Sequence, residues 1–327
     1  MPVPFDAREI YCDQSVVILG AAGFIGNWVS RRLFEAGAKL HFVVRNEQVA
    51  KNLHEKCNIK GIYHEIDLLD SQEQLEKLFS EINPAIVFNL CGYGVDRSER
   101  NESNSFLINE TLVKTVCDSL GKHHDKQWTG QQFIHVGSAL EYGEDRSDLN
   151  ESGFSQPSTL YGRSKLAGTL QMIDGCKENY LKGITARLFM VYGIGEHDGR
   201  LLPSLLALKN APKVMPLTDG SQVRDFTYVE DVVEGLLRLG AIEISQYQIV
   251  NLASGQLHSV KKFINKIVDE FEIDRALLKF GELPTRAEEM SHLPVTNKRL
   301  KTLINWVPSG DLNESIKRLA FYYSGQS

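Results

Sequence analysis

Apolar and polar residues alternate in blocks along the first 190 residues of the chain. Short runs rich in Val, Ile, Leu and Phe predict strands at residues 15–19, 40–44, 62–66, 85–90, 133–136 and 184–189. Amphipathic segments predict helices between them at residues 25–36, 72–81, 105–119 and 160–179. Near-continuous apolar strands separated by helices indicate an α/β fold, a Rossmann-type doubly wound parallel sheet covered on both faces.

The pattern changes after residue 192. A polar loop with glycines at residues 193–200 is followed by a short predicted helix at 201–209 and an irregular stretch at 211–223. A helix at 229–239 and a strand at 248–252 then resemble the first half, and the chain ends in an amphipathic helix at 312–323. We therefore expect residues 1–190 to form the Rossmann domain, with residues 227–253 returning to it. Residues 191–226 and 254–327 would form a smaller interleaved C-terminal region, the substrate-binding side of a cleft.

Composition and charge restrict the class of protein. The chain is 42% hydrophobic, has a net charge of −6 and contains no run of Lys and Arg, which argues against nucleic acid or an anionic membrane as its partner. Its five cysteines form no CxxC pair, so we expect reduced thiols and no metal site. No signal-peptide pattern and no membrane-length apolar run is present. These features predict a cytoplasmic protein.

A glycine-rich turn follows the first predicted strand and precedes the first predicted helix. Glycines at the first, fourth and seventh positions allow a tight turn, a close approach of the backbone to a pyrophosphate and close packing of helix on strand. The helix N-terminus supplies amide donors for the phosphates. The turn predicts a dinucleotide cofactor that contacts Gly20, Gly23, Phe24, Ile25 and Gly26. An ordinary strand–turn–helix is the alternative.

The end of the second strand bears on the choice between NAD and NADP. An acidic residue at this place accepts a hydrogen bond from the ribose of NAD, whereas Arg45 stands here and suits a 2′-phosphate. We therefore favour NADP(H), and NAD remains possible because Glu47 could reach the ribose. Three further residues at strand ends are expected to line the cofactor groove: Asp67, Leu68 and Leu90.

A tyrosine and a lysine lie four residues apart in the predicted helix at 160–179, so Tyr161 and Lys165 share one face. A tyrosine with its ordinary pKa of about 10 is a poor base at neutral pH, and a nearby ammonium group together with a cationic nicotinamide would lower that pKa. Ser138, at the end of the fifth strand, is placed to hydrogen-bond the reacting oxygen. An exposed helical pair is the alternative for Tyr161 and Lys165. The glycine turn and Ser138 favour a catalytic site.

With these motifs the chain resembles an extended short-chain dehydrogenase/reductase of the NAD-dependent epimerase/dehydratase family, in its nucleotide-sugar-modifying branch. The resemblance covers residues 15 to about 235 and rests on the glycine turn and four more segments: Ser138–Gly143, Tyr161–Lys165, Arg187–Gly193 and Arg224–Val232. It implies an oxidoreductase in which Tyr161 exchanges the proton and Lys165 also binds the cofactor. It further implies a homodimer formed by the helices at 105–119 and 160–179.

The resemblance also implies contacts to the substrate. Arg224 and Arg286 would bind the pyrophosphate of a nucleotide sugar, and guanidinium groups suit phosphate geometry. Tyr93 and Ser138 would also contact the substrate. Met190 stands where many relatives have a substrate-contacting asparagine. This departure indicates that the substrate carries an unusual sugar or that its sugar binds in an unusual orientation.

The residues after Ser138 distinguish between the reactions of the family. Relatives that eliminate water have an Asp-Glu pair here, and this chain has Ala139 and Leu140. Glu141 is offset by one position and, on a strand, would point the other way. We therefore predict NADPH-dependent reduction of a nucleotide-linked 4-keto-6-deoxysugar. The alternatives are a 4-epimerase with tightly bound NAD, a reductase of a non-nucleotide ketone and a redox sensor without turnover.

Overall fold

The computed structural model of the chain describes residues 5–95, 99–143, 148–153, 155–244, 248–284 and 292–325. Its strands are β1 (Ser15–Leu19), β2 (Lys39–Val44), β3 (Ile62–Glu65), β4 (Ile86–Asn89), β5 (Phe133–Ser138), β6 (Gly183–Leu188), β7 (Met190–Tyr192), β8 (Met215–Leu217), β9 (Val223–Tyr228), β10 (Gln248–Leu252), β11 (Leu257–Ser259) and β12 (Leu278–Phe280).

The helices are α1 (Ala7–Tyr11), α2 (Phe24–Glu35), α3 (Glu47–Lys56), α4 (Gln74–Ile82), α5 (Glu102–Phe106), α6 (Leu112–Lys122), α7 (Leu160–Glu178), α8 (Leu201–Asn210), α9 (Val229–Ala241), α10 (Val260–Glu270), α11 (Lys298–Ile304) and α12 (Leu312–Tyr323). In the part of the chain that the structure describes, no helix is long and apolar enough to cross a bilayer.

Seven parallel strands form the main sheet in the order β3-β2-β1-β4-β5-β6-β10. The central strand β1 is buried on both faces. Val16 and Ile18 pack with residues of α2 and α9 on one side, and Val17 and Leu19 pack with residues of α4, α6 and α7 on the other. The predicted doubly wound Rossmann fold is confirmed, because an apolar strand with both faces covered is what this layering requires.

The remaining strands form two smaller sheets. Strand β9 pairs in parallel with β7 and antiparallel with β11, and β8 pairs in parallel with β12. The rings of Phe226 on β9 and Phe263 on α10 stack with their centroids 4.2 Å apart, which joins the sheet to the helix behind it. These elements lie beyond the carboxyl end of β6, where α/β folds bind their ligands.

Several elements differ from the sequence prediction. Helix α3 was not predicted, although Asn46 caps it by accepting a hydrogen bond from the Val49 amide at 2.9 Å. The predicted helix at 105–119 is α5, a π-helical turn (Leu107–Thr111) and α6. The stretch expected to be irregular contains β8, and β9 follows it. Strand β9 carries Arg224 and Asp225, which interrupt the apolar run by which strands are recognised.

Candidate active site

The glycine turn joins β1 to α2 with the geometry that a dinucleotide site needs. Gly20 has a φ of +78°, a conformation that side chains with a Cβ rarely adopt. A Cβ atom at Gly26 would lie 2.1 Å from the carbonyl oxygen of Gly20, so α2 can begin this close to the strand only with glycine there. Helix α2 has no side-chain cap and no acidic residue in its first turn. Its N-terminus is therefore suited to a pyrophosphate.

Arg45 lies exposed just after β2, at the same edge of the sheet as the glycine turn. Burial raises the pKa of the Cys91 thiol to about 12, and the positive charges of Lys165 and Arg45 oppose this rise. Arg45 is thus within electrostatic reach of the loop after β4. Glu47, the alternative ribose ligand, is ion-paired with Lys51. The contact of Arg45 or Glu47 with a cofactor stays a prediction.

The other predicted groove residues lie at the ends of β3 and β4. Asp67 accepts a hydrogen bond from the Leu69 amide at 2.9 Å, and Leu68 is buried. The amide of Leu90 donates to the carbonyl of Leu19 at 3.1 Å, which places Leu90 beside the start of the glycine turn. Their contacts with a cofactor stay predictions.

Ser138 ends β5, and Tyr161 and Lys165 lie in the first turns of α7. Thr159 begins this helix by accepting a hydrogen bond from the Gly162 amide at 3.0 Å. Lys165 is 1% exposed, and burial lowers its pKa to about 8, against the opposing effect of Glu141 and Cys91. The ammonium group thus sits in a buried site where a proton is lost near physiological pH.

The expectation that Lys165 lowers the pKa of Tyr161 is wrong for the chain by itself. Burial raises the pKa of the Tyr161 phenol, the carboxylates of Glu141 and Glu99 raise it further, and the guanidinium of Arg200 opposes them. The phenol is therefore protonated in this structure, and its proton is available for transfer to a substrate oxygen.

The expectation that Glu141 sits on a strand and points the other way is also wrong. Residues Ala139–Glu141 form a 3-10 turn, and the carboxylate of Glu141 turns back to accept a hydrogen bond from the Ser138 amide at 2.7 Å. It also accepts hydrogen bonds from Thr169 at 2.9 Å and Arg187 at 2.8 Å. Because Glu141 is held by three donors, it is not a free acid for water elimination.

Sequence reasoning missed Asn109, which lies in the π-helical turn between α5 and α6. Its side chain accepts from the Tyr93 amide at 3.1 Å and donates to the Tyr93 carbonyl at 2.8 Å and to Ser164 on α7 at 2.8 Å. A π-helical turn often marks a functional site. Asn109 therefore fixes the loop that carries Tyr93 against the helix that carries Tyr161. The sequence signal that could have identified Asn109 is a polar asparagine among the apolar residues of this helical segment.

The predicted substrate residues lie beyond the sheet. Met190 begins β7 and pairs with Phe226 in register. Arg224 is 5% exposed, and its Nη1 donates to the Val223 carbonyl at 3.0 Å. Arg224 lies close enough to the buried His292 to help burial lower the pKa of that imidazole to about 3. Arg286 lies outside the described residues. The substrate contacts of all five predicted residues, Tyr93, Ser138, Met190, Arg224 and Arg286, stay predictions.

Glu196 lies in the loop after β7, which packs on the glycine turn. The Trp28 indole donates to the Ile194 carbonyl at 2.8 Å, and a Cβ at Gly195 would lie 3.7 Å from the Phe24 ring. Burial raises the pKa of Glu196 to about 7, and the guanidinium of Arg200 opposes the rise. The Glu196 carboxyl is therefore half-protonated near neutral pH. Sequence reasoning did not find it, since a single loop glutamate carries no pattern.

We expect Glu196→Gln to stabilise the protein only above about pH 5. The pKa of Glu196 is about 7 in the folded chain and 4.5 in the unfolded chain, so the free energy of unfolding falls as the pH rises between these values. Above pH 7 the free energy of unfolding of Glu196→Gln should exceed that of the wild type by up to about 3 kcal/mol, because one pKa unit corresponds to about 1.4 kcal/mol. Melting temperatures at pH 4.5 and pH 8 measure it. Glu35→Gln, at an exposed ion pair, is the control. A gain independent of pH would contradict this account.

Comparison with known proteins decides the family. Residues 16–253 match the model of the NAD dependent epimerase/dehydratase family. The chain belongs to this family. As an extended short-chain dehydrogenase/reductase it is an NAD(P)-dependent enzyme, as its sequence motifs predicted.

One curated relative and two solved structures are similar to almost the whole chain. The dTDP-6-deoxy-L-talose 4-dehydrogenase (NAD(P)(+)) of Kitasatospora kifunensis is 24% identical over 322 residues, which are 93% of this chain and 94% of that protein. The structure of a UDP-N-acetylglucosamine 4-epimerase from Methanobrevibacter ruminantium in complex with UDP-N-acetylmuramic acid superposes with a TM-score of 0.83 and 20% identity. The match covers 97% of this chain and 100% of that one. The structure of a UDP-glucuronic acid 4-epimerase from Bacillus cereus with UDP-glucuronic acid and NAD has a TM-score of 0.81 and 19% identity, and the match covers 96% of this chain and 100% of that one. The structural likenesses show the fold.

Proposed function

We propose that the protein reduces the 4-keto group of a nucleotide-linked 6-deoxysugar with NADPH. The observation that carries the proposal is the engagement of Glu141 by Ser138, Thr169 and Arg187, with apolar Ala139 and Leu140 beside it. No side chain of that turn is free to eliminate water or to move a carbon-bound proton. The proton of Tyr161 and a hydride suffice for a ketone reduction.

Each residue of the site has a role in this reaction. The bound dinucleotide supplies the hydride. Tyr161 donates its proton to the sugar oxygen, and its raised pKa keeps the phenol protonated until the substrate is bound. Ser138 hydrogen-bonds the same oxygen, and Lys165 binds the cofactor ribose with its buried ammonium group. Residues 191–226 and 254–327 would bind the nucleotide sugar, with Arg224 and Arg286 at its pyrophosphate and Tyr93 and Met190 near the sugar.

Two observations support this choice of reaction and cofactor. The relative from Kitasatospora kifunensis is a dTDP-6-deoxy-L-talose 4-dehydrogenase (NAD(P)(+)), whose name places its reaction at position 4 of a 6-deoxysugar, as in the reaction proposed here. The exposed Arg45 lies after β2, where a 2′-phosphate would meet it. The assay is consumption of NADPH with a panel of nucleotide-linked 4-keto-6-deoxysugars. Absence of reduction with every member would contradict the proposal.

A 4-epimerase with tightly bound NAD is the second candidate. The fold neighbours with this activity favour it, and it needs the same three residues, Ser138, Tyr161 and Lys165. The two candidates differ in how the cofactor behaves. An epimerase returns the hydride to the same sugar, so it interconverts nucleotide sugars at C4 without added NADPH, whereas a reductase consumes one NADPH for each product.

We expect Arg45→Asp to weaken the binding of NADPH by about 10- to 100-fold, because a hydrogen bond to a charged group contributes roughly 1.5–3 kcal/mol. Binding of NADH should stay the same or improve, since an acidic residue can accept from the ribose. Fluorescence titration with both dinucleotides measures the change. Arg8→Asp, at an exposed arginine on α1, is the control for net charge. Equal effects on NADPH and NADH would contradict the role of Arg45.

The proposal includes a homodimer in the cytoplasm. Leu166 and Leu170 lie one turn apart on α7, where Leu166 is partly exposed and Leu170 is 52% exposed. Exposed apolar side chains on a helix suit a partner helix. Sedimentation equilibrium should give twice the chain mass.

The five cysteines are free thiols, which suits a reducing compartment, and cell fractionation tests that location.

A further inference from the structure

Ser138 is joined to α7 and β6 through one buried side chain. The carboxylate of Glu141 accepts from the Ser138 amide with Oε1 and from Thr169 and Arg187 with Oε2. Ser138 ends β5, Thr169 lies on α7 one turn beyond Lys165, and Arg187 lies on β6. Glu141 thus connects the three elements whose relative position sets the distance between Ser138 and the pair formed by Tyr161 and Lys165.

The surroundings of Glu141 leave it little freedom. Glu141 is fully buried and the side chain of Arg187 is 2% exposed. The guanidinium of Arg187 lies over the Tyr142 ring at 4.3 Å, and the Tyr142 hydroxyl donates to Asn251 on β10 at 2.6 Å. A Cβ at Gly137 would lie 2.5 Å from Oε1 of Glu141. Both oxygens of the Glu141 carboxylate are hydrogen-bonded inside this packed site, which restricts the side chain to one arrangement.

The negative charge of Glu141 also acts on both residues of the pair. It raises the pKa of Lys165 against the effect of burial, and it raises the pKa of Tyr161. Among the residues that the structure describes, Glu99 and Arg200 also act on Tyr161, and Cys91 and His135 interact electrostatically with Lys165. Within these described sets, Glu141 is the group that acts on both residues of the pair.

We propose that Glu141 is a positioning residue of this active site, whose carboxylate fixes Ser138 against α7 and places a negative charge beside Tyr161 and Lys165. This inference rests on the proposed function for its kinetic test and on the chain alone for its spectroscopic test. Glu141 exchanges no proton with the substrate, since its oxygens are taken by the three donors.

The spectroscopic test follows the ionisation of Lys165 by NMR in protein labelled with ¹³C at lysine, with the signal assigned through Lys165→Met. Wild-type Lys165 should titrate at about pH 8. In Glu141→Gln the midpoint should fall by roughly one unit or more, because a neighbouring opposite charge shifts a pKa by about 1–3 units. No substrate is needed, so this result stands if the proposed reaction is wrong.

Glu141→Gln leaves Arg187 buried without its anion and can fail to fold. The double variant Glu141→Gln/Arg187→Met removes both charges and should recover thermal stability, while its Lys165 midpoint stays below the wild-type value. Asp231→Asn is the matched control, since Asp231 is a largely buried acid paired with Arg318 at 2.8 Å in another part of the chain. It should lower stability without moving the Lys165 midpoint.

The kinetic test is the pH dependence of kcat. The alkaline limb should move to lower pH in both Glu141 variants, because Tyr161 and Lys165 lose their protons more easily, and kcat at neutral pH should fall about 10- to 100-fold through misplacement of Ser138. Folded variants that keep the wild-type Lys165 midpoint and the wild-type alkaline limb would overturn the proposal. A shifted midpoint in a chain inactive on nucleotide sugars would overturn the proposed reaction and leave the role of Glu141 supported.

Discussion

Tyr161→Phe should lower kcat by about 10²- to 10⁴-fold, the range that general acid–base catalysis contributes. The phenol of Tyr161 is the proton donor of the account, and the pKa raised by burial and by Glu141 keeps it protonated at neutral pH. Phenylalanine keeps the ring and its packing, so the melting temperature should change little. Steady-state kinetics with NADPH and the keto sugar measure the effect.

Tyr180→Phe is the control for loss of a tyrosine hydroxyl, since Tyr180 is 95% exposed and lies past the end of α7. Its kcat should equal that of the wild type. A Tyr161→Phe enzyme that keeps the wild-type kcat would show that the proton comes from another group, and the catalytic assignment would be withdrawn.

Gly26→Ala should greatly lower the affinity of the protein for the dinucleotide. Its Cβ atom would lie 2.1 Å from the carbonyl oxygen of Gly20 and 2.9 Å from the carbonyl carbon, and both are backbone atoms that cannot rotate away. The start of α2 must shift, which moves the amide groups that face the pyrophosphate. We expect NADPH affinity to fall at least about 100-fold, and overpacking of this kind costs about 1–3 kcal/mol of stability.

Gly281→Ala is the matched glycine control. Gly281 has a φ of +85°, and no atom of the described residues lies within 4 Å of an added Cβ, so the substitution costs about 1–2 kcal/mol of backbone strain. Its NADPH affinity should not change. Fluorescence titration and thermal melting compare the two variants, and a Gly26→Ala protein that binds NADPH as tightly as the wild type would contradict the assignment of the turn.

The sheet and the glycine turn could be predicted from the sequence because local patterns determine them. Strand β1 is a β-branched run that is buried on both faces, and the glycines follow it directly. Strand β9 could not be predicted in this way. Its Asp225 is buried because Thr227, Ser254 and Gly255 donate to it, and those last two partners lie about 30 residues away.

The constellation of Ser138, Tyr161 and Lys165 could be proposed from spacing and order alone, but the residues that support it could not. Glu141 and Arg187 are 46 residues apart, and nothing local indicates that they pair. The pKa of Tyr161 was expected to fall because only the neighbouring lysine is visible in the sequence. Burial and the position of Glu141, which dominate the pKa, are tertiary properties.

Identification of the dinucleotide that the purified protein releases on denaturation tests the central claim most directly. Mass spectrometry should find little bound cofactor, and the emptied protein should then bind NADPH more tightly than NADH, because a reductase exchanges its cofactor in every cycle and Arg45 meets the 2′-phosphate. Stoichiometric NAD⁺ in the released material would contradict the reductase and favour the 4-epimerase, which keeps its cofactor through the cycle.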